Sequence, residues 1–480
     1  MANNSRLFFI VLSVGASLGI GNLFAYTYLN FNFSGIFFIP YIIALLILGV
    51  PLLLLEFSTA QYFNKNVIDS FASIRKWFSG IGWLMVANSF ILMSAYAVIF
   101  SWHIIYFFVS FGMQWHQSPR AYFFNNVLQI SEGFRSFARL SLPVFITLII
   151  AWVLIFLYIR KGYEGIKRKF FWTLIVFSSL CLLFLFYSLS LDNALAGIYS
   201  LLKLNFSGFF GLDLWVAAFS LAIISLGVSF GLMNVFARKS GRGFAAANSF
   251  IILVVELVSG IALGLILFAM LGFLSGKGLI NASLSFNNYG DLFITLTQAL
   301  PFFYKPTLSS MLFFIFLSIF FLLGASALAY SIAHVLVHKF NAKQIHASIL
   351  ICGVGFLFGL LFVIKPGFYI MDIMAHFIYY NILLVLLLES AAIGWFFDSE
   401  KISAFIDQYS AVKLGKIWRF MIRFIAPLIL LALIAFQLKS DLFGRYSNYP
   451  LWALIAFGAV IVAAPVVVAF LLPQMIWDRR

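Results

Sequence analysis

The chain has 480 residues, of which 64% are hydrophobic and 9% charged, with a formal charge of +15. A soluble surface needs roughly a quarter charged residues, so most of this chain must face lipid or other apolar helices. That excludes a cytosolic enzyme, a nucleic-acid binder and a secreted domain. The first apolar stretch starts near Leu7 and is too long and glycine-rich for a cleavable leader, so none is expected.

A bilayer core takes about 20 helical residues. Apolar runs between polar breaks predict twelve spans: 7–28, 35–59, 81–111, 141–159, 170–191, 214–237, 244–275, 307–337, 347–365, 371–397, 418–438 and 449–475. Alternating-polarity strands are missing, so the expected fold class is an all-α integral membrane protein. With an even number of spans both ends share a side. Placing them inside puts 21 of the 30 Lys and Arg on inner loops, including Arg160, Lys161, Lys167, Arg168 and Lys169. The positive-inside rule then predicts cytoplasmic termini in a cell (inner) membrane protein. Basic inner loops beside anionic lipid account for the charge with no nucleic-acid partner. The longest outer loops are 112–140 and 276–306, and 398–417 is the substantial inner one, so no separate soluble domain is expected. Trp102, Trp215 and Trp452 near span ends read as interfacial anchors. Cys181 and Cys352 sit in apolar runs and give neither a disulfide framework nor a metal spacing.

Two spans carry interruptions. The first contains Gly15-Ala16-Ser17-Leu18-Gly19-Ile20-Gly21-Asn22, and the sixth Ser225-Leu226-Gly227-Val228-Ser229-Phe230-Gly231. Both hold Ser-Leu-Gly followed by Ile or Val. Either run alone also reads as close packing through small residues. Placed at matching positions in two five-span halves, the pair points to a midplane binding site between inverted repeats. Breaking a membrane helix frees N–H and C=O groups that hydrocarbon cannot satisfy. Half-helix N-termini favour a carboxylate, and freed carbonyls favour a cation or an ammonium.

The run from Gly15 to Asn22, followed by Ile39-Pro40-Tyr41-Ile42-Ile43-Ala44 and by Gly49-Val50-Pro51 to Glu56, resembles the first two helices of the neurotransmitter:sodium symporter family. Tyr96 with Trp102, Ser225 to Gly231, Asp372, Glu389 with Trp395, and Arg419 to Pro427 extend the likeness in order along almost the whole chain. The resemblance implies two inverted five-helix repeats, 1–191 and 214–397, with two additional C-terminal helices at 418–475. It also implies that spans one, two, six and seven rock against three, four, eight and nine.

The same resemblance implies a substrate site. Backbone N–H groups of Ile20 and Gly21, beside Gly19, and the Tyr96 hydroxyl would receive a carboxylate, and neutral donors suit a zwitterion. Carbonyls of Ser17, Ile224 and Ser225 would meet the ammonium. Ala16, Leu92, Gly227 and Phe230 would shape an apolar pocket, which favours a hydrophobic amino acid as the small-molecule partner. For sodium, a hard cation that takes oxygen ligands, one cage would use Gly15, Leu18 and Leu323 carbonyls and the Ser326 hydroxyl. The other would use Ser17, Asn22 and Ser225. Each is one oxygen short of the family pattern, because Ala327 and Ile252 stand where oxygen-bearing side chains are usual. No organic cofactor is implied.

An ionisable side chain at the bilayer centre costs about 2.5–3.5 kcal/mol, which makes Glu256 in span seven a functional candidate. In the family, a carboxylate there goes with chloride independence, and Tyr41 and Ser225 match other positions of that anion site. The outer gate pairs an Arg of span one with an Asp of span ten. Here Asp372 is present but Ala25 holds the Arg position, so Asp372 is expected to be solvated in the outer vestibule. At the inner gate, Asn3, Ser5 and Asn341 replace the usual groups, leaving Arg6 as the basic residue nearby.

The leading reading is a sodium-coupled secondary transporter importing an amino acid or related small amine. A transporter-fold receptor or regulator with altered ion coupling stays open, motivated by the missing gate pairs. The six histidines form no metal-ligand spacing beyond His334 and His338 on one helix face, so an enzyme is not expected.

Overall fold

Hydrocarbon offers no hydrogen-bond partners, so each crossing must satisfy its own backbone, and the apolar runs all become helices. The computed structural model describes residues 2–17, 26–33, 35–130, 133–134, 137, 139–239, 243–280, 289–410 and 413–477. Among them, ten helices are long and apolar enough to cross a membrane. In chain order the principal helices are α1 (Ala2–Ser17), α2 (Tyr26–Phe33), α3 (Phe38–Phe63), α4 (Lys76–Val109), α5 (Leu142–Ile159), α6 (Gly162–Leu189) and α7 (Leu212–Ser225). They continue with α8 (Leu232–Lys239), α9 (Ala245–Gly276), α10 (Pro306–Phe340), α11 (Gln344–Phe362), α12 (Gly367–Phe396), α13 (Gly415–Asn448) and α14 (Leu451–Leu471). The two shorter apolar helices, Arg6–Ser17 and Leu212–Ser225, belong to the two runs expected to be interrupted. Beta structure among the described residues is an isolated bridge, Leu140 to Ile364.

Burial sorts the helices into a centre and a rim. The apolar window of α10 is 78% buried and that of α4 is 72%, against 17% for α6 and 11% for α14. Helices α4 and α10 pack along each other at the middle. The outward faces of α6 and α14 carry exposed Leu182, Phe186, Val467 and Val468, as a lipid-facing rim requires.

A π-helical turn at Leu45–Gly49 lies inside α3, just before Pro51. Proline donates no backbone bond, which loosens the preceding turn. The turn matters because Gly49 lies against the break after α7. A side-chain carbon at Gly49 would come within 2.6 Å of Leu226 Cδ1, so a larger residue there would require the Leu226 side chain to shift.

Several boundaries differ from expectation. Span eleven was expected to stop at 438, but the helix continues through Phe443 because Asp441 is held by His376 and Tyr380 of α12. The loop 398–417 contains a helix, Ser399–Gln408, whose polar face hides it from an apolar scan. Trp102 is no interfacial anchor: it is 1% exposed, packed edge-on against Phe123 at 5.4 Å.

Candidate functional site

The break in span six is built from left-handed backbone. Helix α7 ends at Ser225 and α8 begins at Leu232; between them Gly227, Ser229 and Gly231 have φ of 66°, 75° and 62°. Two glycines adopt this at no side-chain cost, whereas Ser229 is strained there. Three other helices hold the segment open. Glu56 Oε1 on α3 accepts the Ser229 N–H at 2.6 Å. Hydroxyls of Ser89 on α4 and Ser331 on α10 donate to the Phe230 carbonyl at 2.7 and 3.4 Å.

The span-six break faces the end of α1. A carbon added at Gly227 would lie 3.8 Å from Ser17 Cα, with Met233 Cε at 3.5 Å. Gly15 and Ser17 are buried, Ala16 is half-buried, and the Ser17 hydroxyl donates to the Val14 carbonyl at 3.1 Å. Leu18, Gly19, Ile20, Gly21, Asn22 and Ala25 lie outside the described residues. Of the other pocket residues, Tyr96 is buried and edge-on to Phe321 at 5.9 Å. Leu92 lies one turn earlier on α4 and is half-buried, Phe230 is fully enclosed, and Ile224 is partly exposed. The structure thus joins Ser17 to Gly227, and it joins Ser225 to Tyr41 as described below.

The two cation cages differ. Ser326 is fully buried and its Oγ has no hydrogen-bond partner among the described residues, while Leu323 is buried one turn before it on α10, against which α1 packs. A buried hydroxyl without a partner is costly, and a cation ligated there would relieve it, so the described part of this cage fits sodium. Ala327 adds no side-chain oxygen. At the second cage the Ser225 hydroxyl already accepts from Tyr41, the Ser17 hydroxyl is engaged, and Ile252 is a fully buried hydrocarbon. Asn22 lies outside the described residues, and Ile252 adds no side-chain oxygen to this cage.

Tyr41 donates to Ser225 Oγ at 3.0 Å and also interacts with the Glu256 carboxyl. Spans two, six and seven therefore converge on the three residues that the resemblance placed in one anion site. Asp372, expected to be solvated, is half-buried, and Tyr446 and Tyr449 donate to its two oxygens at 3.2 and 3.0 Å. Arg6 gains a partner in Asn248, Nε to Oδ1 at 3.0 Å, and its guanidinium lies 4.5 Å from the Phe244 ring centre. Asn341 has a different task from an ion pair, since at φ 55° it terminates α10.

Sequence reasoning missed two features. Glu56 was noted only as the end of a run, yet it caps the break; the signal was available, a carboxyl inside an apolar span. A second buried carboxyl, Glu389 on α12, lies close enough to Glu56 to act on it. The cluster of His376, Asp441, Gln437 and Tyr380 joins α12 to α13, with His376 Nε2 2.9 Å from Asp441 Oδ1. The partners lie 65 residues apart, so nothing local in the sequence marks them. His334 and His338 have ring centres 4.2 Å apart, and among the described residues no three His, Cys, Asp or Glu side chains converge.

The model of the sodium:neurotransmitter symporter family matches residues 2–120 and 113–478. The chain is similar to an uncharacterized sodium-dependent transporter of Methanocaldococcus jannaschii, at 28% identity over 98% of this chain and 97% of that one. It is 25% identical to the sodium- and chloride-dependent GABA transporter ine of Drosophila melanogaster, over 94% of this chain and 52% of the relative. It is 22% identical to the sodium-dependent neutral amino acid transporter B(0)AT2 of Mus musculus, over 98% and 79%. A family match along nearly the entire length, on a chain of membrane-crossing helices with an interruption beside the end of α1, has one meaning: this is a multi-pass membrane transporter and not an enzyme, and the chain belongs to the sodium:neurotransmitter symporter family.

Proposed function

We propose that this chain is a sodium-coupled importer of an amino acid or related small amine, working by alternating access across a cell (inner) membrane with both termini cytoplasmic. The observation that carries the reading is the span-six break lying against Ser17, because it frees backbone dipoles at the end of α1. Relatives named as sodium-dependent transporters of neutral amino acids and GABA support the substrate class.

The architecture we infer is twelve spans, with repeats at 1–191 and 214–397 and two added helices at 418–475. The substrate carboxylate is assigned to Ile20, Gly21 and Tyr96, and the ammonium to the carbonyls of Ser17, Ile224 and Ser225. Leu92, Phe230 and Ala16 supply an apolar end, which favours a hydrophobic side chain. Sodium is assigned to Gly15, Leu18, Leu323 and Ser326, where a bound ion would supply positive charge between α1 and α10. Glu256, with its carboxyl near Tyr41 and Ser225, supplies a fixed negative charge where an anion would otherwise be needed, so transport requires no chloride.

Proteoliposome uptake of labelled neutral amino acids, with and without an inward sodium gradient, tests this. Uptake that collapses without the gradient is expected. Absence of both uptake and binding for every amino acid tried would overturn the proposal. Ligand-dependent thermal stabilisation without flux would favour the receptor reading, which the short cation cages at Ala327 and Ile252 motivate.

A further inference from the structure

The densest cluster of positive charge lies where α5 turns into α6. Arg160 and Lys161 form the turn, and Lys167, Arg168 and Lys169 follow within two turns of α6. Lys169 points back and donates to the Leu157 carbonyl of α5. Lys161, Lys167 and Arg168 border a cavity of about 580 Å³. One carboxylate shares it, Glu164, which is 77% exposed and 3.3 Å from Lys167.

The rest of the wall is aromatic. Phe8 of α1 meets Phe171 of α6 edge-on at 5.9 Å, and Lys167 Nζ stands 4.2 Å from the Phe8 ring centre. Trp172, 62% exposed, also lines the cavity. Below it the exposed face of α6 is mainly apolar, with Ile175, Val176, Leu182, Leu183 and Phe186 interrupted by Ser178 and Ser179. An excess of cations therefore opens directly onto a lipid-facing hydrocarbon strip, with an indole where the two meet.

We infer that this cavity is a binding site for the phosphate headgroup of an anionic glycerophospholipid, whose acyl chains lie along the outer face of α6. A soluble anion would use the cations alone, whereas the aromatic wall and the apolar strip match an amphiphile. The site joins α1 to α6, so a bound headgroup holds together the helix before the first interruption and a rim helix. This inference does not depend on which substrate is carried.

The test uses the purified full-length protein in phosphatidylcholine nanodiscs with increasing phosphatidylglycerol, read as thermal stabilisation. A Lys161→Gln/Lys167→Gln/Arg168→Gln variant is compared with a Lys343→Gln/Lys413→Gln/Lys416→Gln variant, which removes the same charge from other basic loops. Phosphatidylglycerol stabilises the wild type and the second variant alike. In the first variant the half-saturating fraction rises more than about tenfold, since each basic side chain is worth about a factor of five. Inorganic phosphate in pure phosphatidylcholine gives no shift. Equal losses in both variants would mean diffuse surface attraction and overturn the site, and a shift with inorganic phosphate would overturn the lipid. Should the triple variant not fold, Arg168→Gln at an exposed side chain reads the same comparison at about fivefold.

Discussion

Glu56 Oε1 accepts the Ser229 backbone N–H at 2.6 Å and thereby ties span two to the break in span six. Both residues are buried, so removing the acceptor strands the N–H away from water. Glu56→Leu is expected to lower stability by about 1–3 kcal/mol, while Glu56→Gln, which keeps a carbonyl acceptor, stays close to the wild type. Thermal unfolding in detergent checks this. A Gln variant as unstable as the Leu variant would show that charge, not the acceptor, is what the break requires.

Ser326→Ala makes two effects cross. Without sodium the buried hydroxyl has no partner among the described residues, so its removal leaves stability unchanged or raises it by up to about 1–3 kcal/mol. If the hydroxyl ligates sodium, the same change weakens sodium binding by about tenfold or more. Melting curves across a sodium titration report both at once. An unaltered sodium dependence would remove Ser326 from the cage.

Glu256→Ser exchanges a fixed negative charge for a neutral hydroxyl beside Tyr41 and Ser225. The wild type is expected to transport equally in chloride and in gluconate. The variant should lose most flux in gluconate and regain it as chloride is added. Wild-type flux that falls when gluconate replaces chloride would contradict the assignment.

Lys339 Nζ lies 2.7 Å from Asp69 Oδ1, linking the end of α10 to the short helix Val67–Ala72 after α3. The side chains are 16% and 35% exposed, so the pair is partly shielded. A double-mutant cycle with Lys339→Gln and Asp69→Asn is expected to give a coupling of about 1 kcal/mol, the upper end for surface pairs, and to weaken in high salt. A coupling near zero would show that this pair does not tie the two helices together.

The fold was legible because lipid imposes one rule on every span, and apolar length reads it directly. The span-six break was legible for a local reason: Gly227, Ser229 and Gly231 sit within five residues. What escaped were groups whose meaning depends on partners far along the chain. Glu56 meets a backbone atom 173 residues away, and Asp372 meets tyrosines 74 and 77 residues away. Arg6 reaches Asn248, and no spacing announces that. Trp102 was misread because proximity to a span end does not tell which way a ring points.

The hold of Tyr446 and Tyr449 on Asp372 changes the standing of the last two helices. Tyr446 lies in the last turn of α13 and Tyr449 just after it, so the Asp372 carboxyl is held by chain that lies beyond both proposed repeats. A version truncated after α12 would keep both proposed repeats, yet leave the Asp372 carboxylate without its two phenol donors. The terminal hairpin therefore shelters an acidic group of α12 and is not a detachable appendix.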